Sequence, residues 1–274
     1  MTRQAEFNTQ RTFGVEIEFL STVERSLVAR KLREAGVPAF EEGYNHENKN
    51  YWKIIRDGSC GNEAVSPILK GYEGLEQIKT VCKVMNQLHC QVNIKCGLHV
   101  HHGVGDYNIK HFKNLYIAYS KYENLLDSLM PNSRRKDTNT YCKSMLKNRP
   151  YNYIAEDISK CKTLDDIRNL YPSRYHKLNV QSYVKYGTIE FRQHSGTVEA
   201  EKIVNWVIFT QTMVERCKRN VQPAEEREYD HLGCLYNMLG IARKVSCSEE
   251  IFNVGKFYRA RAKQLNKENR REAA

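Results

Sequence analysis

Three short segments of the sequence alternate polar and apolar side chains in the way that a β-strand with one polar face requires. They cover residues 12–19, 97–101 and 187–192. Because successive side chains of a strand point to opposite faces, Glu16 and Glu18 are expected to project together, away from the apolar residues between them. The segments therefore predict strands that each bury one face and collect charge on the other.

The same alternation places two further pairs of functional side chains on a common face. His99 and His101 project together from the second segment, and Glu190 and Arg192 project together from the third. If the three strands share one sheet, carboxylates, imidazoles and a guanidinium converge on one surface. These groups bind divalent cations and phosphate.

The bulk composition narrows the class of protein. The formal net charge of +11 favours anionic partners, among them nucleotide phosphates, acidic substrates and nucleic acid. No apolar run approaches the roughly 18 residues of a membrane helix, and residues 1–8 lack the apolar stretch of a signal peptide. The nine cysteines include no CxxC pair, so neither a disulfide framework nor a cysteine zinc site is indicated. We expect a cytoplasmic protein without a membrane span.

Strand and helix periodicities follow one another without a regular βαβ order. Apolar residues at helical spacing predict helices over about 72–88, 108–130 and 197–218, and Ser21 or Thr22 is expected to cap an earlier helix. Residues 174–192 predict two strands around a turn near Gly187. This order predicts the α+β class, with a mainly antiparallel sheet, helices on one face and an open charged face.

The residue types on the charged face leave two interpretations of the metal open. Carboxylates such as Glu16 and Glu18 suit the hard cations Mg²⁺ and Mn²⁺. Two histidines at i and i+2, His99 and His101, can instead hold zinc. The sequence contains neither GxxxxGK[ST] nor GxGxxG, so a nucleotide would be held by metal and arginine.

Five stretches, in this order along the chain, resemble the amidoligase family of carboxylate–amine ligases, distant relatives of glutamine synthetase and the glutamate–cysteine ligases. They are Phe-Gly-Val-Glu-Ile-Glu-Phe at 13–19; Trp52 to Ser59 with Glu-Ala-Val-Ser-Pro at 63–67; Gly-Leu-His-Val-His at 97–101; Pro-Asn-Ser-Arg at 131–134, continuing to Tyr141 and Cys142; and Arg174 to Asn179 with Thr-Ile-Glu-Phe-Arg-Gln-His-Ser-Gly-Thr at 188–197. Each stretch is short, and their combination and order carry the likeness.

The resemblance implies an ATP-dependent enzyme with a glutamine synthetase-like curved, mainly antiparallel sheet. Such enzymes phosphorylate a carboxylate, and an amine then attacks the acyl phosphate to give an amide, ADP and phosphate. Divalent ions, Mg²⁺ or Mn²⁺, lie on the sheet between ATP and the carboxylate. The implied substrates are small-molecule or peptide carboxylates and amines.

By motif, the resemblance also implies residue roles. The implied metal ligands are Glu16, Glu18, Glu63, His99 and Glu190. The implied catalytic residues are Arg192, Glu190 and His99. The implied contacts to ATP or substrate phosphate are made by Arg192, Arg174, Arg134 and His101.

The resemblance and the charge pattern together predict the domain organisation. Residues 1–220 are expected to form the catalytic domain, with 131–162 as a lid or insertion that excludes water during phosphoryl transfer. Residues 221–274 are expected to form a helical, basic extension.

Two other functions remain open on the sequence alone. A zinc-dependent hydrolase built on His99 and His101 would retain zinc and work without nucleotide. A nucleic-acid-binding protein would use the basic tail over 256–271 and would bind in a salt-dependent way. The surplus of carboxylates and the presence of Arg192 on the same face argue against the hydrolase. The aromatic residues lie mostly at helix-core spacing and not on a stacking surface, which argues against nucleic-acid binding.

Overall fold

All three alternating segments form strands in a computed structural model of the protein. The structure describes residues 4–45, 47–137, 139–219 and 231–272, and side chains up to residue 268. The chain divides into two compact units. We call Thr9–Gly103 with Gln193–Val207 the sheet unit. We call the described parts of Met1–Asn8, Val104–Arg192 and Ile208–Ala274 the helical unit.

The sheet unit contains most of the strands. Its elements are β1 (Thr12–Phe19), α1 (Arg25–Glu34), β2 (Ala39–Glu41), β3 (Trp52–Asp57), β4 (Gly61–Val65), β5 (Leu69–Lys70), α2 (Gly71–Gln87) and β6 (Gly97–Gly103). The strands lie in the order β2-β3-β4-β1-β6, and β5 pairs with β1. Only β2 and β3 pair in parallel within this set; the other pairings are antiparallel, as the sequence predicts.

The apolar face of this sheet packs against helix α2. Val15, Ile17 and Phe19 of β1 are buried, and α2 buries Leu75, Ile78 and Met85. Gly74 permits the close approach, because a Cβ there would lie 2.8 Å from Phe13 Cζ and 2.9 Å from Leu69 Cβ. The helix therefore covers the face opposite to the charged residues.

The helical unit contains the remaining elements. They are α3 (Ile109–Asp127), α4 (Tyr151–Lys160), α5 (Leu164–Leu170), β7 (Leu178–Asn179), α6 (Ser182–Tyr186), α8 (Leu232–Leu239) and α9 (Glu249–Glu272), with 3-10 turns at Asn132–Arg134 and Lys244–Ser246. Strand β8 (Thr188–Ser195) and helix α7 (Ala200–Lys218) each contribute one part to this unit and the other part to the sheet unit.

Helix α3 is the centre of the helical unit. Asn108 caps its N-terminus through the backbone N–H of His111, and its long apolar stripe contacts α4, α5 and α8. Aromatic rings dominate this packing: Tyr116 meets Tyr171 at 5.1 Å between ring centroids. The predicted helix over 108–130 is thus confirmed with an earlier end.

Two local predictions need correction. The two strands predicted over 174–192 are present and pair antiparallel, but β7 has only two residues and helix α6 lies between β7 and β8. Gly187 ends α6 with φ at 65°, so the predicted turn is present but follows a helix and not a strand. Neither Ser21 nor Thr22 caps α1, whose N-cap is Glu24; the Ser21 hydroxyl instead accepts from the Val23 N–H.

The basic tail is part of helix α9. One face of that helix is buried through Ile251, Val254, Tyr258, Ala262 and Leu265. The predicted boundary between 220 and 221 lies outside the described residues and stays a prediction. Among the helices of the described residues, none is both long and apolar enough to cross a membrane.

Candidate active site

The register of β1 with its two neighbours brings three of the predicted metal ligands together. Glu16 lies opposite His99 of β6, and Glu18 lies opposite Glu63 of β4. One ligand atom from each of Glu16, Glu63 and His99 can be chosen so that all three lie within 4.8 Å of one another. We call these three residues the Glu–Glu–His cluster; each comes from a different strand.

The cluster is held by hydrogen bonds at its edge. His99 Nδ1 donates to Glu16 Oε2 at 2.9 Å, and His99 Nε2 lies 3.7 Å from Glu18 Oε1. The other oxygen of Glu18 accepts the Gly97 N–H at 2.7 Å. Glu18 is therefore tied to the start of β6 while it faces the imidazole.

The polar face is more enclosed than the expected open charged face. Glu18, Glu63 and His99 are only 4–7% exposed, and the Glu16 side chain keeps 28% of its surface accessible. The sequence alternation alone does not show this burial. Glu16 is the most accessible ligand of the cluster.

His101 is the second histidine of β6 that contacts Glu16. In the strand register it lies opposite Gly14 of β1. Its Nε2 is 3.4 Å from Glu16 Oε1. Burial by itself would raise the pKa of Glu16, but the hydrogen bonds and charges of His101 and His99 outweigh it and hold that pKa well below its usual value. Glu16 is thus an ionised carboxylate.

The donor set of the cluster fits a divalent cation. Two carboxylates and one imidazole supply mostly oxygen ligands, which Mg²⁺ and Mn²⁺ prefer. A cation would also compensate the buried carboxylates, which are costly without a positive partner. The chemistry of the residues present therefore agrees with the predicted Mg²⁺ or Mn²⁺ site.

Two further residues on this face were missed by the sequence analysis. Lys53 and Asp57 of β3 share the face of Glu63, because Ile55 between them pairs with Glu63. Lys53 is buried, and its ammonium donates to the Asn45 side chain at 3.1 Å and to the Glu47 carbonyl at 3.0 Å. Period-two spacing from Lys53 to Asp57 is the signal that would have found both.

A disulfide joins the turn before β4 to the start of β6. Cys60 and Cys96 are bonded, while the other seven cysteines are free and buried. Cys60 is three residues before Glu63, and Cys96 directly precedes Gly97, which binds Glu18. The sequence indicated no disulfide, and this bond is the correction: the scattered spacing of the cysteines hides a pair that strand pairing brings together.

The predicted residues of β8 form a second group, which belongs to the helical unit. Arg192 Nη1 donates to Glu190 Oε1, and Asn179 of β7 donates to Glu190 Oε2 at 2.6 Å. Glu190 and Arg192 are both buried, with 4% and 8% exposed. The carboxylate is therefore occupied on both oxygens by protein donors.

Arg192 is also held from the other side. Its Nε donates to the Tyr141 carbonyl at 3.3 Å, and its guanidinium lies over the Tyr175 ring at 5.7 Å. Arg174, which is exposed, lies over the same ring at 5.1 Å. The predicted pair Arg174 and Arg192 thus shares one aromatic side chain.

Arg134 lies in the 3-10 turn after α3 and is buried, with 2% exposed. Burial raises the pKa of the Cys142 thiol, and the charges of Arg134, Lys177 and Arg192 oppose that rise. The positive charge of Arg134 therefore acts in the same part of the helical unit as that of Arg192.

Comparison with known proteins identifies the family of this chain. A family described as "Putative amidoligase enzyme" matches residues 9–214, which is most of the chain. A chain of the crystal structure of the complex between prokaryotic ubiquitin-like protein Pup and its ligase PafA aligns with 95% of this chain at 10% identity and a TM-score of 0.37. This protein spans 58% of that chain's length. No protein of curated function matches the sequence. On the family match, the chain belongs to the amidoligase family.

Proposed function

We propose that this protein is an ATP-dependent carboxylate–amine ligase that forms an amide through an acyl-phosphate intermediate. The observation that carries the proposal is the Glu–Glu–His cluster, whose three ligand atoms lie within 4.8 Å of one another. Its carboxylate-rich donor set favours the cations that accompany ATP. The family match supports the amide-forming outcome.

In the proposed reaction, a carboxylate oxygen of the substrate attacks the γ-phosphorus of ATP, and the bond to ADP breaks. The amine nitrogen then attacks the acyl carbon, the bond to phosphate breaks, and the nitrogen loses a proton. Phosphoryl transfer needs positioned positive charge more than covalent help from the protein. A bound divalent cation would supply charge that screens ATP from the carboxylate.

The protein's own residues would have distinct roles in this reaction. We propose that Glu16, Glu63 and His99 hold the cation, with Glu18 and His101 as further contacts. Arg192 would bind the transferring phosphoryl group, because its fork matches phosphate oxygens. Glu190 would orient that guanidinium as well as contribute a carboxylate, and Arg174 and Arg134 would add positive charge.

Other parts of the proposal follow from the sequence and the charge. We propose a glutamine synthetase-like curvature of the sheet, a catalytic domain over 1–220, a lid over 131–162 and a basic extension over 221–274. The net charge of +11 favours an anionic small-molecule or peptide substrate, and nucleic acid is a further partner for the basic tail. A cytoplasmic location is part of the same proposal.

The zinc hydrolase is the weaker proposal for one structural reason. It requires His99 and His101 to share an ion, whereas the metal-binding groups found among the described residues place each with carboxylates and not with the other histidine. A hydrolase would also work without nucleotide. Release of ADP separates the two functions directly.

The test is an ADP-release assay over a panel of carboxylates and amines, with Mg²⁺ or Mn²⁺. We expect ADP formation that depends on both substrates, and at least a hundredfold loss in kcat for Arg192→Ala and for Glu63→Gln. Glu76→Gln, on the exposed side of α2, is the matched control and should retain activity. Amide formation without nucleotide, or activity that survives both substitutions, contradicts the proposal.

A further inference from the structure

The helical unit contains a buried charge network that the proposed chemistry does not use directly. The ammonium of Lys177 is inaccessible to solvent and lies 2.7 Å from both Glu123 Oε1 and Asp127 Oδ1. The two carboxylates are one turn apart on α3. Burial by itself would lower the pKa of Lys177, but the charges of Glu123 and Asp127 outweigh it and raise that pKa, so the ammonium is charged.

The second oxygen of each carboxylate binds a backbone N–H in the segment after α3. Glu123 Oε2 accepts from Met145 at 2.8 Å, and Asp127 Oδ2 accepts from Lys136 at 2.8 Å. The network therefore holds both ends of the stretch 136–145. A buried ion cluster that also accepts hydrogen bonds from backbone N–H groups fixes that backbone in place, in addition to neutralising its own charges.

Tyr141 lies within this stretch, and its carbonyl accepts from Arg192 Nε at 3.3 Å. The backbone of Lys177 also bonds both to this stretch and to Arg192. Its N–H donates to the Lys143 carbonyl, and its carbonyl accepts from the Arg192 N–H, each at 2.9 Å. Lys177 thus contacts Arg192 through its backbone and, through its side chain, fixes the stretch that binds the guanidinium.

We propose that Lys177 is a positioning residue for Arg192, acting through Glu123, Asp127 and the stretch 136–145; its effect on turnover rests on the proposed ligase function. The Glu190 carboxylate and the Tyr141 carbonyl both accept from the guanidinium. Without the ammonium, the Tyr141 carbonyl loses its fixed place. A guanidinium that loses a fixed acceptor samples more orientations and stabilises the phosphoryl group less well.

The simplest variant, Lys177→Met, leaves two buried carboxylates without a cation and can fail to fold. The informative variant is Lys177→Met combined with Glu123→Gln and Asp127→Asn. It removes every charge of the network and keeps acceptor oxygens for Met145 and Lys136. Lys113→Met is the matched control, because that α3 ammonium binds the carbonyls of Ser159 and Cys161 and none of the 136–145 stretch.

Two readouts test the positioning without any activity. Amide hydrogen exchange should become at least tenfold faster at Lys136 and Met145 in the triple variant, with α2 unchanged as the marker of folding. Solvent exchange of the Arg192 Nε–H, assigned by NMR with Arg192→Lys, should accelerate by a similar factor. Neither rate should change in Lys113→Met. Unchanged exchange at Arg192 in a triple variant that remains folded overturns the proposal.

The third readout is turnover on a substrate pair identified with the wild-type protein. We expect kcat to fall at least tenfold in the triple variant while KM for the amine stays within twofold. A faster Arg192 exchange with unchanged kcat overturns the role in catalysis. If the triple variant unfolds, Asp127→Asn alone replaces it, and the same exchange criterion decides. Absence of wild-type ligase activity refutes the proposed function but leaves the two exchange tests intact.

Discussion

The Nδ1 atom of His99 donates a hydrogen bond of 2.9 Å to Oε2 of Glu16, across the pairing of β6 with β1. A donor at Nδ1 leaves the lone pair of a neutral imidazole at Nε2. That atom faces Glu18 Oε1 at 3.7 Å, and a lone pair and a carboxylate repel each other without a cation between them. The pairing of these strands therefore positions Nε2 to bind a metal ion.

The affinity of the protein for Mn²⁺ should depend on the side chains of the Glu–Glu–His cluster. We expect His99→Ala and Glu63→Gln each to weaken Mn²⁺ binding by at least about 10-fold, since loss of even an outer-shell partner of a metal ligand costs about 10- to 100-fold. Isothermal titration calorimetry measures the affinity, and Glu76→Gln serves as the control. Equal affinity in wild type and His99→Ala would show that the cation binds elsewhere.

The free energy of unfolding should fall with acid through Glu16. Its pKa is held well below its usual value, so the ionised carboxylate stabilises the fold near neutral pH, and this contribution is lost as the pH falls through the lowered pKa. Glu16→Gln removes the titrating group, so its stability should decrease less than that of the wild type between about pH 5 and about pH 3. Urea unfolding at each pH measures the difference, with Glu76→Gln as the control, and equal acid dependence in wild type and Glu16→Gln would contradict this role.

The bond between Cys60 and Cys96 should be detectable and stabilising. Alkylation of the unfolded, unreduced protein should label seven of the nine cysteines, and peptide mass spectrometry should recover the cross-linked pair. The bond closes a chain separation of 36 residues, for which loop-closure entropy predicts about 3–4 kcal/mol of stability. A Cys60→Ser, Cys96→Ser double variant should unfold at lower urea, and its midpoint should not respond to reductant. Nine labelled thiols would contradict the bond.

Gly74→Ala should destabilise the sheet unit even though alanine favours helices. The new Cβ would lie 2.9 Å from Leu69 Cβ, which is too close to the backbone to move aside freely. We expect a loss of about 1–3 kcal/mol in the free energy of unfolding, typical of overpacking. Gly105→Ala is the matched control, because nothing lies within 4 Å of its added Cβ. Equal urea midpoints for the two variants would show that α2 shifts without cost.

The sequence predicted those parts of the candidate site that depend on local alternation. Period-two spacing placed Glu16 and Glu18 on one face, and the antiparallel pairing of β1 with β6 brought His99 to them. It did not predict which residue lies opposite which, because register depends on partners far along the chain. Period-two spacing places Lys53 and Asp57 on one face, but burial of the Lys53 ammonium depends on its hydrogen bonds to Asn45 and Glu47, which spacing does not predict.

The buried network of Lys177 illustrates a stronger limit. Its partners on α3 lie 50 and 54 residues away, and no local pattern distinguishes a buried lysine from a solvated one. Glu123 and Asp127 do carry a faint signal, since they interrupt the apolar stripe of α3 at i and i+4. Two acids within a buried helical face imply an unseen cation, but not its identity.

The contact between Arg192 and Tyr141 is made by a peptide carbonyl and not by the tyrosine side chain. Any residue at position 141 supplies the same oxygen, so exchange of the side chain leaves the anchor in place. Insertion or deletion of one residue between 136 and 145 displaces that oxygen, because both ends of the stretch are fixed. Natural variation in this family should therefore preserve the length of the stretch more strictly than its composition.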